Sequence, residues 1–274
     1  MAIVTISRQV GSNGDEIAAL VARKCKHQLV GRDEVHKLAQ SCDAGFKDAC
    51  ALYEKETQPG FFERLFFNNP SYTSLFESLN FELASRGDVI IIGRGAQVVL
   101  RDMVGVIKVR VVAPTRVRIQ RVAQKHKIDM GHAAEFVDKY DHQRKSLIRT
   151  LFDKDLRDWG LYDLIINTAN FTPEGAADIV CQAIDVAHYE HTQEALKAEL
   201  ERRAFAKRVE SAIKKEVVTS PYRDITVSVD NENNATLNGY VQDKLSRERA
   251  EKVAKKFERI KDVNNDIRTT ELSY

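Results

Sequence analysis

Short apolar runs alternate with helix-like stretches over the first two thirds of the chain. Each run is rich in β-branched side chains, and the runs lie at residues 2–6, 88–92, 106–112 and 162–167. Helical stretches separate them, near residues 33–55, 72–86, 115–127, 131–150 and 173–190. This alternation predicts a buried parallel sheet with helices on both faces. The expected fold class is therefore α/β, with three layers.

The pattern changes after about residue 185. Residues 188–203 are charged, helix-forming and free of Gly and Pro, which predicts a helical connector. A helix near 204–217 then precedes two alternating strands joined by the turn-rich segment 230–234. A helix at 245–258 precedes a last strand. The order α-β-β-α-β predicts a small α+β domain over residues 204–274, distinct from an α/β domain over residues 1–187.

The charge balance gives the chain no general attraction to polyanions. Lysine and arginine number 42 against 40 acidic residues, a net charge of +2, so we expect no nucleic-acid partner. The four cysteines form no C-x-x-C pair and the histidines show no metal-ligand spacing, so we assign no protein-bound metal site. Unpaired cysteines, no leader-like segment and no long apolar run predict a cytoplasmic protein.

The segment between the first strand and the first helix is a candidate phosphate-binding loop. It reads SRQVGSNG over residues 7–14. A turn of this composition exposes backbone N–H groups at a helix N-terminus, an arrangement that favours phosphate. The candidate loop residues are Ser7, Gly11, Ser12, Asn13 and Gly14.

The loop departs from the common nucleotide-binding pattern G-x-x-x-x-G-K-[ST]. Gln9 takes the place of the first glycine, Asp15 that of the lysine and Glu16 that of the hydroxyl residue. Two interpretations remain open. Arg8 restores the missing positive charge, or the acidic pair simply stabilises the first helical turn.

Several ordered motifs resemble the cytidylate-kinase-like family. Residues 5–18 (TISRQVGSNGDEIA) are similar to its opening I-S-R-x-x-G-S-G-G-x-E-I-A. Its Y-D-R-E-I, I-x-G-R-G-A and closing segments have counterparts at residues 31–35, 92–96, 158–160 and 162–168. The resemblance covers about residues 1–187. It implies a P-loop kinase fold of the nucleoside-monophosphate-kinase type.

The resemblance also implies an activity, ATP-dependent phosphoryl transfer to a nucleoside monophosphate such as CMP, with ATP and Mg²⁺ as cofactors. It places Arg94 at the acceptor phosphate and Asp33 near the acceptor nucleotide. It places Asp141 toward the ribose and Arg144 toward the phosphates, both from a lid-like helix. The candidate catalytic residues are Arg8, Arg94, Asp141 and Arg144, and the candidate acceptor-binding residues are Asp33 and Arg94. Arginine suits this chemistry because its planar fork binds phosphate bidentately.

Other interpretations of these residues stay open. Asp33 equally suits a helix N-cap, and Asp141 with Arg144 equally suits a surface pair on one helix. Asp15 replaces the loop lysine, and Gly95 stands where true cytidylate kinases carry an aspartate. The alternative function is therefore a weakly active or inactive nucleotide-binding regulator, coupled to a C-terminal ligand- or membrane-sensing module. A third hypothesis is a scaffold for assembly.

Residues 204–272 resemble a BON domain. Two segments carry the likeness, ATLNGYV at 235–241 and VNNDI at 263–267. It implies a small ligand or a phospholipid as partner, and oligomerisation is left open.

Two further expectations concern the first domain. Arg116, Arg118 and Arg121 either line the donor nucleotide or form a solvated basic face, which we favour, and Trp159 is a packing residue.

Overall fold

The computed structural model describes residues 2–30, 70–187, 193–217 and 224–270. The first sheet contains β1 (Ile3–Arg8), β2 (Gln28–Val30), β3 (Val89–Ile92), β4 (Val106–Val112) and β5 (Leu164–Asn167). Its helices are α1 (Gly14–Cys25), α2 (Pro70–Ser85), α3 (Ala96–Val99), α4 (Thr115–His126), α5 (Met130–Phe152) and α6 (Pro173–Val186), with a 3₁₀ turn at Trp159–Leu161. The chain continues through α7 (Gln193–Glu216), β6 (Ile225–Val229), β7 (Asn234–Val241), α8 (Lys244–Ala254) and β8 (Asp262–Thr269).

The first sheet is parallel throughout, with the strand order β2-β3-β1-β4-β5. The central strand β1 pairs on both sides, so that Ile3 lies opposite both Val89 and Val106. The predicted α/β class and the four predicted strands are confirmed. The sequence pattern missed β2, which has only three residues, of which Val30 alone is buried.

Helices cover both faces of this sheet. Val4 and Ile6 point to one face and pack in a core with α1 and α6. Ile3 points to the other face and packs with α2, α3 and the first half of α7. Because successive side chains of a strand point to opposite faces, a strand buried on both sides is mostly apolar, as the stretch of residues 2–6 in and before β1 is.

The C-terminal part has its own sheet and core. β6 pairs antiparallel with β7, and β7 pairs parallel with β8, which confirms the predicted order α-β-β-α-β. The second half of α7 and one face of α8 pack on the inner side of this sheet. Gly239 is required in β7, because its φ is +133° and a Cβ there would lie 2.0 Å from the carbonyl oxygen of Asp224.

One helix serves both cores. Leu196 and Leu200 of α7 pack with the first sheet, whereas Val209 and Ile213 pack with the second. The helix continues without a break from the first core to the second. The described part of the predicted connector and the first helix of the C-terminal part therefore form one helix, Gln193–Glu216.

A buried carboxylate fastens α7 to α2 and to the second sheet. Glu210 is 1% exposed and accepts hydrogen bonds from Ser74 Oγ at 2.6 Å and from the backbone N–H of Val227 at 3.2 Å. Lys207 and Lys214 lie within 3.1 Å of the same carboxylate. Burial raises the pKa of Glu210, but the two lysines outweigh it and hold the pKa below its ordinary value.

We expect Glu210→Gln to lower the free energy of unfolding by about 2 kcal/mol, because it removes the buried charge that two lysines share and leaves them only Glu77 and Asp224 as described partners. Urea denaturation monitored by circular dichroism measures the change. Glu258→Gln, an exposed position in the same part of the chain, serves as the control and should unfold like the parent. Equal midpoints for Glu210→Gln and the parent would contradict the role given to this network.

Candidate active site

The candidate phosphate loop lies at the carboxyl end of β1 and leads into α1. Its backbone is tightly turned, with Gly11 at φ +75° and Asn13 at φ +62°. The Ser12 hydroxyl donates to the carbonyl oxygen of Gln9 at 2.8 Å and closes the turn. A Cβ at Gly11 would lie 2.6 Å from the carbonyl oxygen of Arg118, so only glycine fits there. The N–H groups at the start of α1 therefore border the loop, as an anion site requires.

Arg8 crosses the start of α1. Its Nε donates to Asp15 Oδ1 at 3.0 Å, with the arginine mostly buried and the aspartate exposed. A Cβ at Gly14 would lie 2.4 Å from the Cβ of Arg8, so glycine makes room for this crossing. The cationic group beside the loop thus comes from the strand, and the residue in the usual lysine position is bound to it.

Two arginines of α4 hold the loop in place through hydrogen bonds. Arg118 is 5% exposed and donates to the carbonyl oxygens of Ala113 at 3.1 Å and Val10 at 3.2 Å. Arg121 donates to the side chain and the carbonyl oxygen of Thr168, at 2.9 and 2.7 Å. The expected solvated basic face is therefore wrong for these two residues, although Arg116 is exposed. The spacing of a helix puts positions 118 and 121 on the side that faces the loop.

Asp141 of α5 joins the lid-like helix to the loop. Its Oδ2 accepts from Arg118 Nη1 at 2.6 Å, and its Oδ1 accepts from the backbone N–H of Val10 at 3.3 Å. The carboxylate therefore binds a buried guanidinium group and the loop backbone at once. This position suits a residue that sets the loop's shape.

A large cavity opens between the loop, α4 and α5. Its volume is about 670 Å³, which lies in the usual range for small-molecule sites of roughly 300–1,000 Å³. One wall is aromatic, since the rings of Phe136 and Tyr140 lie 4.4 Å apart and His126 contacts Phe136. The residues on the opposite wall are those of the loop and the first turn of α1. We call this space the donor cavity.

A second, small cavity lies under α5 at the ends of β1, β3 and β4. Its volume is about 20 Å³, and four arginines are among the residues that line it, Arg8, Arg94, Arg110 and Arg144. None of the described residues that line it is Asp or Glu. Arg144 lines the donor cavity as well, so the two cavities meet at this side chain. We call the second space the arginine cavity.

The segment after β3 explains one departure from the family pattern. Arg94 has φ +57° and lies between two glycines that also have positive φ. A Cβ at Gly95 would lie 2.4 Å from Cε2 of Phe152, near the end of α5. A larger side chain therefore has no room at residue 95 while α5 lies where it does.

The structure brings most of the predicted site residues together at one edge of the sheet. Arg94 and Arg144 meet at the arginine cavity, Asp141 contacts the loop, and the loop residues surround the start of α1. Asp33 lies outside the described residues. Arg110 was not predicted, because β4 contains two charged residues, Lys108 and Arg110, and the sequence does not show which of them lines a cavity. The expectation that Trp159 packs is wrong, since it is 80% exposed.

Other observations bear on metals and membranes. Within the described ranges, no group of three or more His, Cys, Asp or Glu side chains is arranged to hold a metal ion. Of the helices in those ranges, none has both the length and the apolar character to cross a bilayer.

A parallel sheet with a glycine-containing loop at the end of its central strand defines a P-loop-type α/β protein. The chain belongs to the cytidylate kinase-like family, whose model matches residues 3–170. Residues 204–271 match the model of the BON domain. Both recognitions made from the sequence are thereby confirmed.

Relatives and a solved structure agree with this assignment. The chain is 36% identical over 104 residues to a cytidylate kinase from Pyrococcus horikoshii, a match that covers 38% of this chain and 53%, about half, of that enzyme. It is 24% identical over 184 residues to a cytidylate kinase from Archaeoglobus fulgidus, covering 67% of this chain and 94% of that one. An uncharacterised protein from Eubacterium ventriosum has a similar fold, with a TM-score of 0.52 and 19% sequence identity. The match covers 68% of this chain and 99% of that protein's chain.

We expect Asp141→Ala to lower the free energy of unfolding by about 2 kcal/mol, because Arg118 would stay buried without its counter-ion. Thermal and urea melts measure the loss. Asp138→Ala, an exposed residue on the same helix, controls for helix propensity and surface charge. Stability equal to that of Asp138→Ala would show that the Arg118–Asp141 pair does not hold the loop.

Proposed function

We propose that this protein transfers a phosphoryl group from ATP to a nucleoside monophosphate, with CMP as the first acceptor to test. The observation that carries the proposal is the meeting of the donor cavity and the arginine cavity at Arg144. A kinase needs two adjoining sites, one for each nucleotide, with cationic groups between them. The cytidylate kinases among the relatives support the choice of acceptor.

The donor cavity suits ATP for two reasons. The loop amides and the N-terminus of α1 offer hydrogen bonds and a partial positive charge to the phosphates. The aromatic wall formed by Phe136 and Tyr140 offers a face to the base. Asp15 balances the charge of Arg8 beside the loop. The basic residues that line the cavity itself include Arg121, Lys125 and Arg144.

The arginine cavity suits the acceptor phosphate. Arg94 projects from a strand end between two glycines, and Arg144 approaches from α5, where its Nη1 donates to the carbonyl oxygen of Arg8 at 3.2 Å. Phosphoryl transfer depends mainly on alignment and on neutralising the charge of the transferred group. Arg144 lies at the junction where that charge would develop, so we assign it to the transferred group and Arg94 to the acceptor.

Mg²⁺ fits the donor cavity in one respect. Asp15 and Glu16 both line that cavity, and Mg²⁺ prefers carboxylate oxygens together with nucleotide phosphates. Glu16 would hold the ion, since Asp15 is bound to Arg8. When bound, Mg²⁺ would neutralise charge on the β- and γ-phosphate oxygens.

A second candidate function is a nucleotide-binding regulator without turnover. The pairing of Asp15 with Arg8 favours it, because a carboxylate occupies the usual lysine position. The shared helix α7 would then connect nucleotide binding to the C-terminal part, for which we propose a small ligand or a phospholipid as partner.

We propose the cytoplasm as the compartment for either function. We also propose that the first domain ends at residue 187 and that the C-terminal domain begins at residue 204.

A coupled assay of ADP formation with CMP, UMP, AMP and GMP tests the proposal. We expect saturable turnover with at least one acceptor, and a loss of about 100-fold in kcat/KM for Arg94→Ala, because one charged bidentate contact is removed. Arg101→Ala, an exposed arginine at the other end of β4, is the control and should keep parent activity. Saturable ATP binding without turnover on any acceptor would reject the kinase and select the regulator.

A further inference from the structure

Arg110 is an arginine of the sheet that the motifs do not include. It lies in β4, directly opposite Ser7 of β1, near the carboxyl ends of both strands. The residue is 8% exposed, and its side chain lines the arginine cavity. A charge this deep in a sheet is costly unless something balances it.

The described protein groups balance Arg110 only in part. Its Nη1 donates to Ser7 Oγ at 2.6 Å, and its Cζ lies 5.8 Å from the centre of the Tyr162 ring. Among the described residues no carboxylate lies within ion-pair distance of it. A guanidinium group has five N–H donors, and the Ser7 hydroxyl takes one of them.

Arg118 shows what a purely structural buried arginine looks like in the same protein. Its donors are taken by two backbone carbonyls and by the carboxylate of Asp141. Asp141 also attracts Arg110 at longer range, but it is already bound to Arg118 and to the Val10 N–H. Burial, the largest effect, lowers the pKa of Arg110 from its ordinary value. Both arginines are buried, but Arg118 is bound to a carboxylate, whereas no described carboxylate is bound to Arg110.

We propose that Arg110 binds the phosphate of the acceptor nucleotide from the sheet side, facing Arg94 and Arg144 across the arginine cavity. This inference rests on the proposed function for the identity of the acceptor, but the demand for an anion comes from Arg110 itself, which is buried with Ser7 as its one described side-chain hydrogen-bond partner. Arg8, Arg94 and Arg144 also line the cavity, and no described residue that lines it is Asp or Glu. A phosphate dianion supplies a counter-charge to Arg110 and several acceptor oxygens.

The size of the cavity adds a condition. A volume of about 20 Å³ holds about one water molecule, so a phosphate enters only when the cover moves. The cover consists of Arg144, Leu147 and Ile148 of α5. Binding of the acceptor therefore requires these side chains to move, while Arg110, which belongs to the sheet, forms the floor of the site.

Calorimetric titration of Arg110→Gln with CMP, cytidine, ATP and inorganic phosphate tests this role. We expect CMP affinity to fall about 10- to 100-fold, since charged hydrogen bonds are lost, while cytidine and ATP bind within twofold of the parent. Arg101→Gln removes the same charge at the far end of β4 and should leave CMP binding unchanged. A merely structural role would change cytidine, ATP and CMP affinities together and overturn the proposal.

Arg110→Lys keeps the charge without the fork and guards against a folding defect in Arg110→Gln. We expect its thermal melt to match that of the parent and its CMP affinity to lie between those of the parent and Arg110→Gln. If Arg110→Gln binds CMP and inorganic phosphate as tightly as the parent does, the inference is overturned. If only Arg110→Lys folds, the same result with that variant overturns it. If the parent binds inorganic phosphate through Arg110 but no nucleoside monophosphate, the proposed function fails and the anion site stands. If the parent binds no phosphate compound, both fail.

Discussion

The guanidinium group of Arg118 contacts the loop, α5 and the residue that follows β4. It donates to the loop at Val10, to the end of β4 at Ala113 and to α5 at Asp141. The loop could not keep its positive φ values against solvent without such partners, because strained backbone persists only where its surroundings over-determine it. Gly11 lies against the backbone of Arg118 so closely that no side chain fits. The candidate site thus depends on one buried charge and its counter-ion.

The distribution of charge follows from this arrangement. The chain as a whole carries a net charge of only +2, yet arginines gather at the carboxyl edge of the first sheet. Arg118 and Arg121 bind groups of the loop, of α5 and of Thr168, and they hold the loop in place. Other arginines line the arginine cavity, and we assign these to phosphate. These arginines would give a nucleotide a cationic environment although Asp15 replaces the usual loop lysine.

The sequence predicted the sheet because residues 2–6 and 106–112 are short, mostly apolar runs, as expected of buried parallel strands. It predicted the loop because glycine and serine follow a strand and precede a helix. It could not predict that Asp141 contacts Val10, since the two residues are 131 positions apart and meet only through the fold. Arg110 could not be predicted because the sequence does not distinguish it from Lys108, the other charged residue of β4, and only the fold shows that Arg110 lines the arginine cavity. That α7 packs in both cores could not be predicted either, because the sequence does not show that its two apolar patches belong to different cores.

We propose that the backbone amides of the loop and the first turn of α1 bind the phosphates of a nucleotide although Asp15 replaces the usual loop lysine. Amide hydrogen exchange of the whole chain, with and without ATP and Mg²⁺, tests this binding. We expect slower exchange over residues 11–16 when ATP is bound, and no comparable change in β6 to β8. Unchanged exchange over residues 11–16 at a saturating ATP concentration would contradict it.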